Sequence, residues 1–516
     1  MAEDEKMLDQ VVARRAKLAK YREMGINPYG QRFEVDSHVE DLKKEYSYLK
    51  PEEITDKKVH LAGRIVLIRR MGKASFFTLQ DRTGRIQGYL RKDVCGDDNY
   101  ALFKLADLGD ICGIEGVMMK TKTGELTVRV SKYTHLSKAL RPLPDKFHGL
   151  TDKEERYRHR YVDLIVNDDA MRIAKMRSLI VKELRDFFFE RGFLEVETPI
   201  LSPILGGANA RPFITHHNSL DEDFYLRIAT ELPLKRLLVG GMERVFECGR
   251  IFRNEGIDLF HNPEFTTVEA YQAYADLSDM MELQETLIKR LAKNISGSLH
   301  LKFNGYDIDL EKPFRQVNMT DMVKEKTGVD FVNVKTDEEA IELAKKFNVP
   351  LQKHFRYGHI INAFFDQFCE SELVQPTFVC RHPLDVSPLA FKCPDDPRFT
   401  QRFELYIGGH EISNAFTELN DPDDQLARFE EQIAEKKAGN DEACEVDYDY
   451  VEALQYGLPP TGGIGIGIDR LVMLLTQTDS IREVLLFPTL KRQKINPNQV
   501  VAVSDEADRK PEQAKK

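Results

Sequence analysis

No apolar run in this 516-residue chain reaches the length needed to cross a bilayer, so no membrane-spanning helix is expected. The opening Met1-Ala-Glu-Asp-Glu-Lys6 is too polar for a secretory signal, so a soluble, cytoplasmic protein is expected. Cysteine is scarce: seven residues, Cys95, Cys112, Cys248, Cys369, Cys380, Cys393 and Cys444, are scattered, odd in number and without a CxxC spacing. That pattern excludes a zinc ribbon or a disulfide framework and suits reduced thiols. Neither a Walker sequence nor a GxGxxG is present, so the usual glycine-rich phosphate cradles are not indicated, and no internal repeat is visible. A net charge of -11 would ordinarily argue against a nucleic-acid partner. Residues 55–150 nevertheless carry an excess of about eight positive charges, so the acidity belongs to other parts of the chain.

The densest chemistry lies at residues 253–271, Arg-Asn-Glu-Gly-Ile-Asp-Leu-Phe-His-Asn-Pro-Glu-Phe-Thr-Thr-Val-Glu-Ala-Tyr, which read as two strands joined by a loop. Arg253 can reach a phosphate, Glu255 can accept from an adenine amino group, and Phe265 offers a flat face to the ring; Glu269 and Tyr271 share that face by strand alternation. A second segment, Thr461-Gly-Gly-Ile-Gly-Ile-Gly-Ile-Asp-Arg470, alternates strictly. Gly463, Gly465 and Gly467 then form a bare backbone face while Ile464, Ile466 and Ile468 enter the core. Asp469 is expected as the cap of a following helix whose Arg470 stands beside a bound nucleotide. In a third segment Leu179, Ile180, Leu184, Phe187 and Phe188 recur at helical spacing; Gly192 ends the helix and Phe193 to Pro199 runs on as a strand.

In this order the helix–strand–Pro199 unit, the Arg253 hairpin and the glycine-alternating strand resemble motifs 1, 2 and 3 of the class II aminoacyl-tRNA synthetases. Among these the chain most closely resembles the lysyl-tRNA synthetases of bacterial type, from roughly residue 10 to residue 490. The resemblance implies an α+β fold: a class II catalytic domain, an antiparallel sheet with flanking helices, behind an N-terminal OB-fold β-barrel. It implies ATP-dependent attachment of L-lysine to tRNA(Lys) through a lysyl-adenylate, with Mg2+ as cofactor, in a homodimer assembled through motif 1. By resemblance, Arg253 and Arg470 are the catalytic cations, and ATP is held by Arg253, Glu255, His261, Asn262, Phe265, Glu404, Glu411 and Arg470. The lysine pocket is expected from Gly207, Glu231, Glu269, Tyr271, Asn414, Phe416 and Glu418, with Glu418 receiving the ε-ammonium. Glu404 and Glu411, seven apart and flanking Gly408-Gly409, could present two carboxylates to one hard cation or be solvated charges; the resemblance makes them the magnesium ligands. Pro233 departs from the pattern, standing where many relatives carry an aromatic residue. A relative that lysylates a translation factor would lack the anticodon barrel, and a decayed, non-catalytic relative would have lost some of Arg253, Glu255, Phe265, Glu411 and Arg470. An aspartyl- or asparaginyl-type pocket fits three glutamates poorly.

The expected domains are a helical extension (1–55), the OB-fold (56–144), a linker (145–155), the catalytic domain (156–494) with a helical insertion near 280–395, and a charged tail (495–516). In the barrel region, Arg64, Arg69, Arg70 and Lys73 lie close to Phe76 and Phe77, a mixture that can hold a phosphate backbone while a base stacks. One of the two phenylalanines must point into the core. The resemblance assigns anticodon contacts to Arg69, Phe76, Gln87 and Glu125. Before the barrel, Met7 to Glu23 reads as an amphipathic helix whose Arg14, Arg15, Lys17, Lys20 and Arg22 either touch tRNA or form a solvated face.

Overall fold

The structure is a computed structural model that describes residues 2–30, 32–144, 150–437 and 445–493. Residues 145–149 of the expected linker and the expected tail lie outside them. The described residues divide into two compact units, one made of those up to Thr151 with those from Lys491 onward and one spanning Asp152–Leu490.

The first unit carries helix α1 (Ala2–Glu23) and a closed barrel of strands β1 (Ile54–Met71), β2 (Ala74–Gln80), β3 (Arg85–Arg91), β4 (Ile111–Lys120) and β5 (Leu126–Ser137). Alternation builds it: Ser75, Phe77 and Leu79 of β2 point inward while Phe76 stays half-exposed. The ring of Phe77 fills the space a Cβ would take at Gly88, 2.3 Å away, which is why β3 has glycine there. Two of the five basic residues between Arg14 and Arg22 of α1 are engaged within this unit. Arg14 is buried, its Nη1 facing the carbonyls of Leu108, Ala139 and Arg141 at 2.9, 2.9 and 3.2 Å, and Lys17 pairs with Asp107 at 2.5 Å. Lys20 and Arg22 remain exposed.

In the second unit, α2 (Asp168–Glu190) leads through the two-residue strand β6 (Leu194–Glu195) and helix α3 (Glu231–Val239) to the hairpin β7 (Arg244–Phe252) and β8 (Glu264–Ala273). Helix α4 (Leu277–Leu291) follows, then β9 (Arg315–Asn318), β10 (Thr377–Cys380), β11 (Arg402–Ile407), β12 (His410–Thr417), helix α5 (Tyr448–Gln455), β13 (Thr461–Gly467) and helix α6 (Ile468–Thr476). Eight strands form one sheet in the order β9-β10-β11-β12-β13-β8-β7-β6. It is antiparallel except at its two ends, where β9/β10 and β7/β6 run parallel. Ile464 and Ile466 enter a core shared with Ile180, Leu184, Phe187 and Phe188 of α2 and Leu287 and Leu291 of α4. Each such side chain, fully buried, stabilises the fold by roughly 1.5–3 kcal/mol. The opposite face of the sheet is left for chemistry.

Several expectations are corrected. The helix expected from the spacing of Leu179 to Phe188 begins earlier, at Asp168, and Leu179 faces solvent. The strand expected over Phe193–Pro199 spans only Leu194–Glu195. The first strand of the central hairpin ends at Phe252, so Arg253 opens the loop instead of lying within a strand. Residues 280–395 are not wholly helical, since β9 and β10 belong to the main sheet. Four-residue strands show too little alternation to be separated from loops. Gly467, not Asp469, precedes α6; the Asp469 carboxylate instead accepts from the Thr266 N–H at 2.7 Å and pairs with Arg177 at 2.5 Å.

Candidate active site

A cavity of about 490 Å³ opens on the free face of the sheet. Its floor is Phe265, Thr267, Glu269 and Tyr271 of β8, the glycines of β13, and Asn414 and Phe416 of β12. Period-two pairing brings them together: Tyr271 lies opposite Gly463, and Gly463 opposite Phe416. A Cβ at Gly463 would meet the Tyr271 ring at 2.6 Å, so the glycine strand makes room for aromatic side chains on its flanks. The loop after β7 adds Arg253, Glu255, His261 and Asn262; α6 adds Arg470, α3 adds Glu231, and Gly207 stands on a separate loop. Every residue expected to bind ATP or lysine therefore lines this cavity except Glu418.

The loop end is built for an anionic, flat ligand. The Arg253 guanidinium lies 5.3 Å from the centre of the Phe265 ring, and its Nε is buried without a hydrogen-bond partner. Arg470 donates from Nη1 to the Glu411 carbonyl at 2.7 Å and lies 3.0 Å, through Nη2, from His261 Nε2. An arginine only donates, so His261 accepts at Nε2 and donates from Nδ1 to Asp258, 2.7 Å away. His261 thus orients Arg470. Asn262 donates to the Glu264 carbonyl at 2.6 Å and accepts from the Thr489 N–H at 3.2 Å, so its amide shapes the loop.

Glu404 and Glu411 lie on β11 and β12, joined through Gly408 and Gly409, whose φ angles of 65° and 80° need glycine. Arg402 and the Tyr406 hydroxyl, each at 2.6 Å, fix the two Glu404 oxygens. Burial first, and then the fields of Glu404 and Glu411, hold both the Tyr406 phenol and the Glu370 carboxyl above their ordinary pKa ranges. A hard cation between carboxylates would relieve that anionic field, so the donor set fits a divalent ion of the magnesium type.

At the other end Glu269 accepts from the Thr230 N–H and the Tyr271 hydroxyl, each at 3.2 Å, and burial with repulsion from Glu231 raises its pKa. Glu418 is 1% exposed and lies directly behind Tyr271, Phe416 and Gly463. Its neighbour there is Lys235, which also holds Glu231. Sequence reasoning missed Lys235, because a lysine four residues after a glutamate on a helix reads as an ordinary surface pair. It also missed Arg402, whose Nε donates to Asn414 Oδ1 at 2.9 Å. Pro233 disturbs nothing in the helix: it sits in the first turn of α3, where its missing N–H would have no intrahelical partner.

On the barrel, Arg69 pairs with Phe76 across β1 and β2, and its guanidinium reaches Gln87 Oε1 at 3.4 Å. Phe76 stacks on Tyr89, centroids 4.5 Å apart, which extends the aromatic surface beyond the residue the sequence singled out. Glu125 is exposed on the turn before β5, its N–H donating to Thr121 Oγ1.

Comparison with known proteins gives two family matches: residues 152–491 to tRNA synthetases class II (D, K and N), and residues 59–136 to the OB-fold nucleic acid binding domain. The chain is 56% identical over 492 residues to the lysine–tRNA ligase of Staphylococcus aureus strain MRSA252, covering 95% of this chain and 99% of that protein. It is 55% identical, with the same coverage, to the lysine–tRNA ligase of strain Mu3.

Proposed function

Because this chain belongs to the class II tRNA synthetases (D, K and N) and joins lysine to tRNA with ATP, we propose that the sheet-face cavity performs both steps of that reaction. The observation that carries the assignment is a cavity with unpartnered arginine chemistry at one end and a carboxylate cluster at the other.

Adenine lies on Phe265 with Glu255 accepting from its amino group, and Arg253 meets the α-phosphate. Glu231 and Glu269 receive the α-ammonium, and Tyr271, Asn414, Phe416 and Gly207 shape the space around the side chain. A carboxylate oxygen of lysine attacks the α-phosphorus, the bond from that phosphorus to the β-phosphate oxygen breaks, and pyrophosphate leaves with both electrons. A ribose hydroxyl of the tRNA terminal adenosine then attacks the lysyl carbonyl, the bond from that carbon to the phosphate oxygen breaks, and AMP departs with the electron pair, its phosphate taking the hydroxyl proton. No protein nucleophile takes part; the protein supplies position and preorganised charge. Arg470, held by His261, faces the outer phosphates. Glu404 and Glu411 would hold magnesium, which when bound neutralises phosphate charge. Pyrophosphate exchange with a panel of amino acids tests the reading. Lysine should support exchange, and aspartate and asparagine should not; exchange with aspartate instead of lysine would overturn it.

The barrel reads the anticodon through Phe76, Gln87, Arg69 and Glu125, supported by the half-exposed Phe76–Tyr89 stack beside Arg69. Phe76→Ala should weaken tRNA charging by about 1–3 kcal/mol while lysine-dependent exchange survives. Equal loss in both assays would make the ring purely structural. We also assign a homodimer. Leu179, Phe189, Leu194, Ile200 and Leu201 expose apolar surface within the motif 1 stretch, the kind of patch that association covers. Sedimentation at micromolar concentration should give twice the chain mass, and an active monomer would refute this. A cytoplasmic location agrees with the six free cysteines among the described residues.

A further inference from the structure

The closed end of the cavity contains a cation of its own. Lys235 has a fully buried side chain; its Nζ lies 2.6 Å from Glu231 Oε1, in ionic contact with Glu418 Oε2, and 5.3 Å from the centre of the Phe416 ring. These are groups that the lysine-pocket reading gives to the substrate. A buried ammonium is costly unless paired, and a helix needs no such residue facing inward for its own stability. Resting on that reading, we propose that Lys235 is a positioning residue that sets the pocket charge. It offsets one of the carboxylates of Glu231, Glu269 and Glu418, so that the two charges left match the two ammonium groups of the lysine substrate.

The arrangement of oxygens supports this division. Glu418 turns Oε2 to Lys235, and its buried Oε1 has no hydrogen-bond partner. Oε1 lies 1.9 Å from where a Gly463 Cβ would stand, and both Gly463 and the adjacent Tyr271 line the cavity. Lys235 thus anchors the far side of Glu418 and leaves the near side for substrate. Glu231 is likewise held through one oxygen while it lines the cavity. An amino acid with a neutral or acidic side chain would leave an anionic charge uncompensated in a desolvated site, so selection rests on charge count as well as on one contact.

The groups facing this cluster are Glu231 and Arg236 on α3, Glu269 and Tyr271 on β8, Glu418 after β12, and Tyr450 on α5. Burial alone would lower the pKa of Lys235, but Glu231 and Glu418 outweigh it and keep the ammonium protonated. For Glu418, burial raises the pKa, Lys235 opposes, and Glu231 and Glu269 add to the rise, so the carboxyl lies well above its ordinary range even beside Lys235. Without Lys235 the raising influences stand unopposed, so the Glu418 pKa rises further and its proton is held to higher pH. That proton replaces the missing positive charge, more completely as pH falls.

The test is lysine-dependent pyrophosphate exchange by the full-length protein, with lysine KM, ATP KM and kcat measured separately from about pH 6 to about pH 8.5. Lys235→Met should raise lysine KM roughly tenfold or more at the alkaline end, leave ATP KM within about twofold, and lose much of its defect at the acidic end. A lysine KM defect that is the same at every pH, or one matched by ATP KM and kcat, would overturn the proposal. Should Lys235→Met fail to fold, the double variant Lys235→Met with Glu418→Gln removes both members of that buried pair. It leaves two carboxylates, and should bind lysine more tightly than Glu418→Gln alone; equal or weaker binding overturns the proposal. Failure of the parent protein to use lysine would instead overturn the pocket reading beneath it.

Discussion

Replacing Arg253 with alanine is expected to lower the kcat of lysine-dependent pyrophosphate exchange by roughly a hundred- to a thousand-fold, about 3 kcal/mol, with little change in lysine KM. The guanidinium lies beside the Phe265 ring, so a nucleotide whose base covers that ring brings its α-phosphate within the arginine's reach. As the carboxylate attacks, negative charge builds on the oxygens of the α-phosphorus. A cation already fixed there stabilises it without reorganising. The buried Nε has no partner in the free protein, so no internal hydrogen bond competes for that donor. Lysine at this position should recover little, because one rotating ammonium does not reproduce a planar fork of donors. Steady-state exchange with lysine and ATP varied in turn is the measurement. A loss confined to lysine KM would remove Arg253 from the reacting phosphate.

What the sequence disclosed depended on how strongly each pattern departs from ordinary surface or core. The glycine–isoleucine alternation of residues 461–467 has one physical solution, a strand with one bare face, and the structure has it. Phe265, Glu269 and Tyr271 could be placed on one side because strand alternation is local. The barrel was legible for the same reason, and Gly88 beneath Phe77 shows why Phe76 is the ring left outside. Long-range partners were not legible. Nothing local says that Asp469 reaches Thr266 and Arg177, or that Arg14 is spent on carbonyls of the barrel unit. Helical spacing placed Leu179 in the same apolar set as Ile180, yet of these two only Ile180 faces the core, whereas the adjacent Phe187 and Phe188 both do. Lys235 was the costliest omission. Its residue type predicts solvent, and only the packing of α3 against β7, β8 and α5, which brings it to Glu418, turns it inward.

Glu418→Gln keeps the shape of the side chain and removes its charge. Lysine binding should then weaken by about 2–5 kcal/mol, the scale for truncating one member of a buried charged pair, while ATP KM stays near the parent value. Norleucine, which lacks the ε-ammonium, gives the sharper readout. In the parent protein it leaves Glu418 Oε1 buried and unpaired, and it should be rejected. In the Gln variant that carboxylate is gone. Glu231 and Glu269 remain with Lys235, which still pairs with Glu231, so the pocket has one net negative charge, which matches the single ammonium of norleucine. Discrimination against norleucine should therefore collapse in the variant, through a rise in norleucine use as well as a fall in lysine use. Exchange driven by each amino acid, measured for both proteins, separates the two contributions. An unchanged lysine KM would exclude Glu418 as the specificity carboxylate. A lysine defect with norleucine still rejected would mean that shape, enforced by Phe416 and Tyr271, selects the side chain instead of charge.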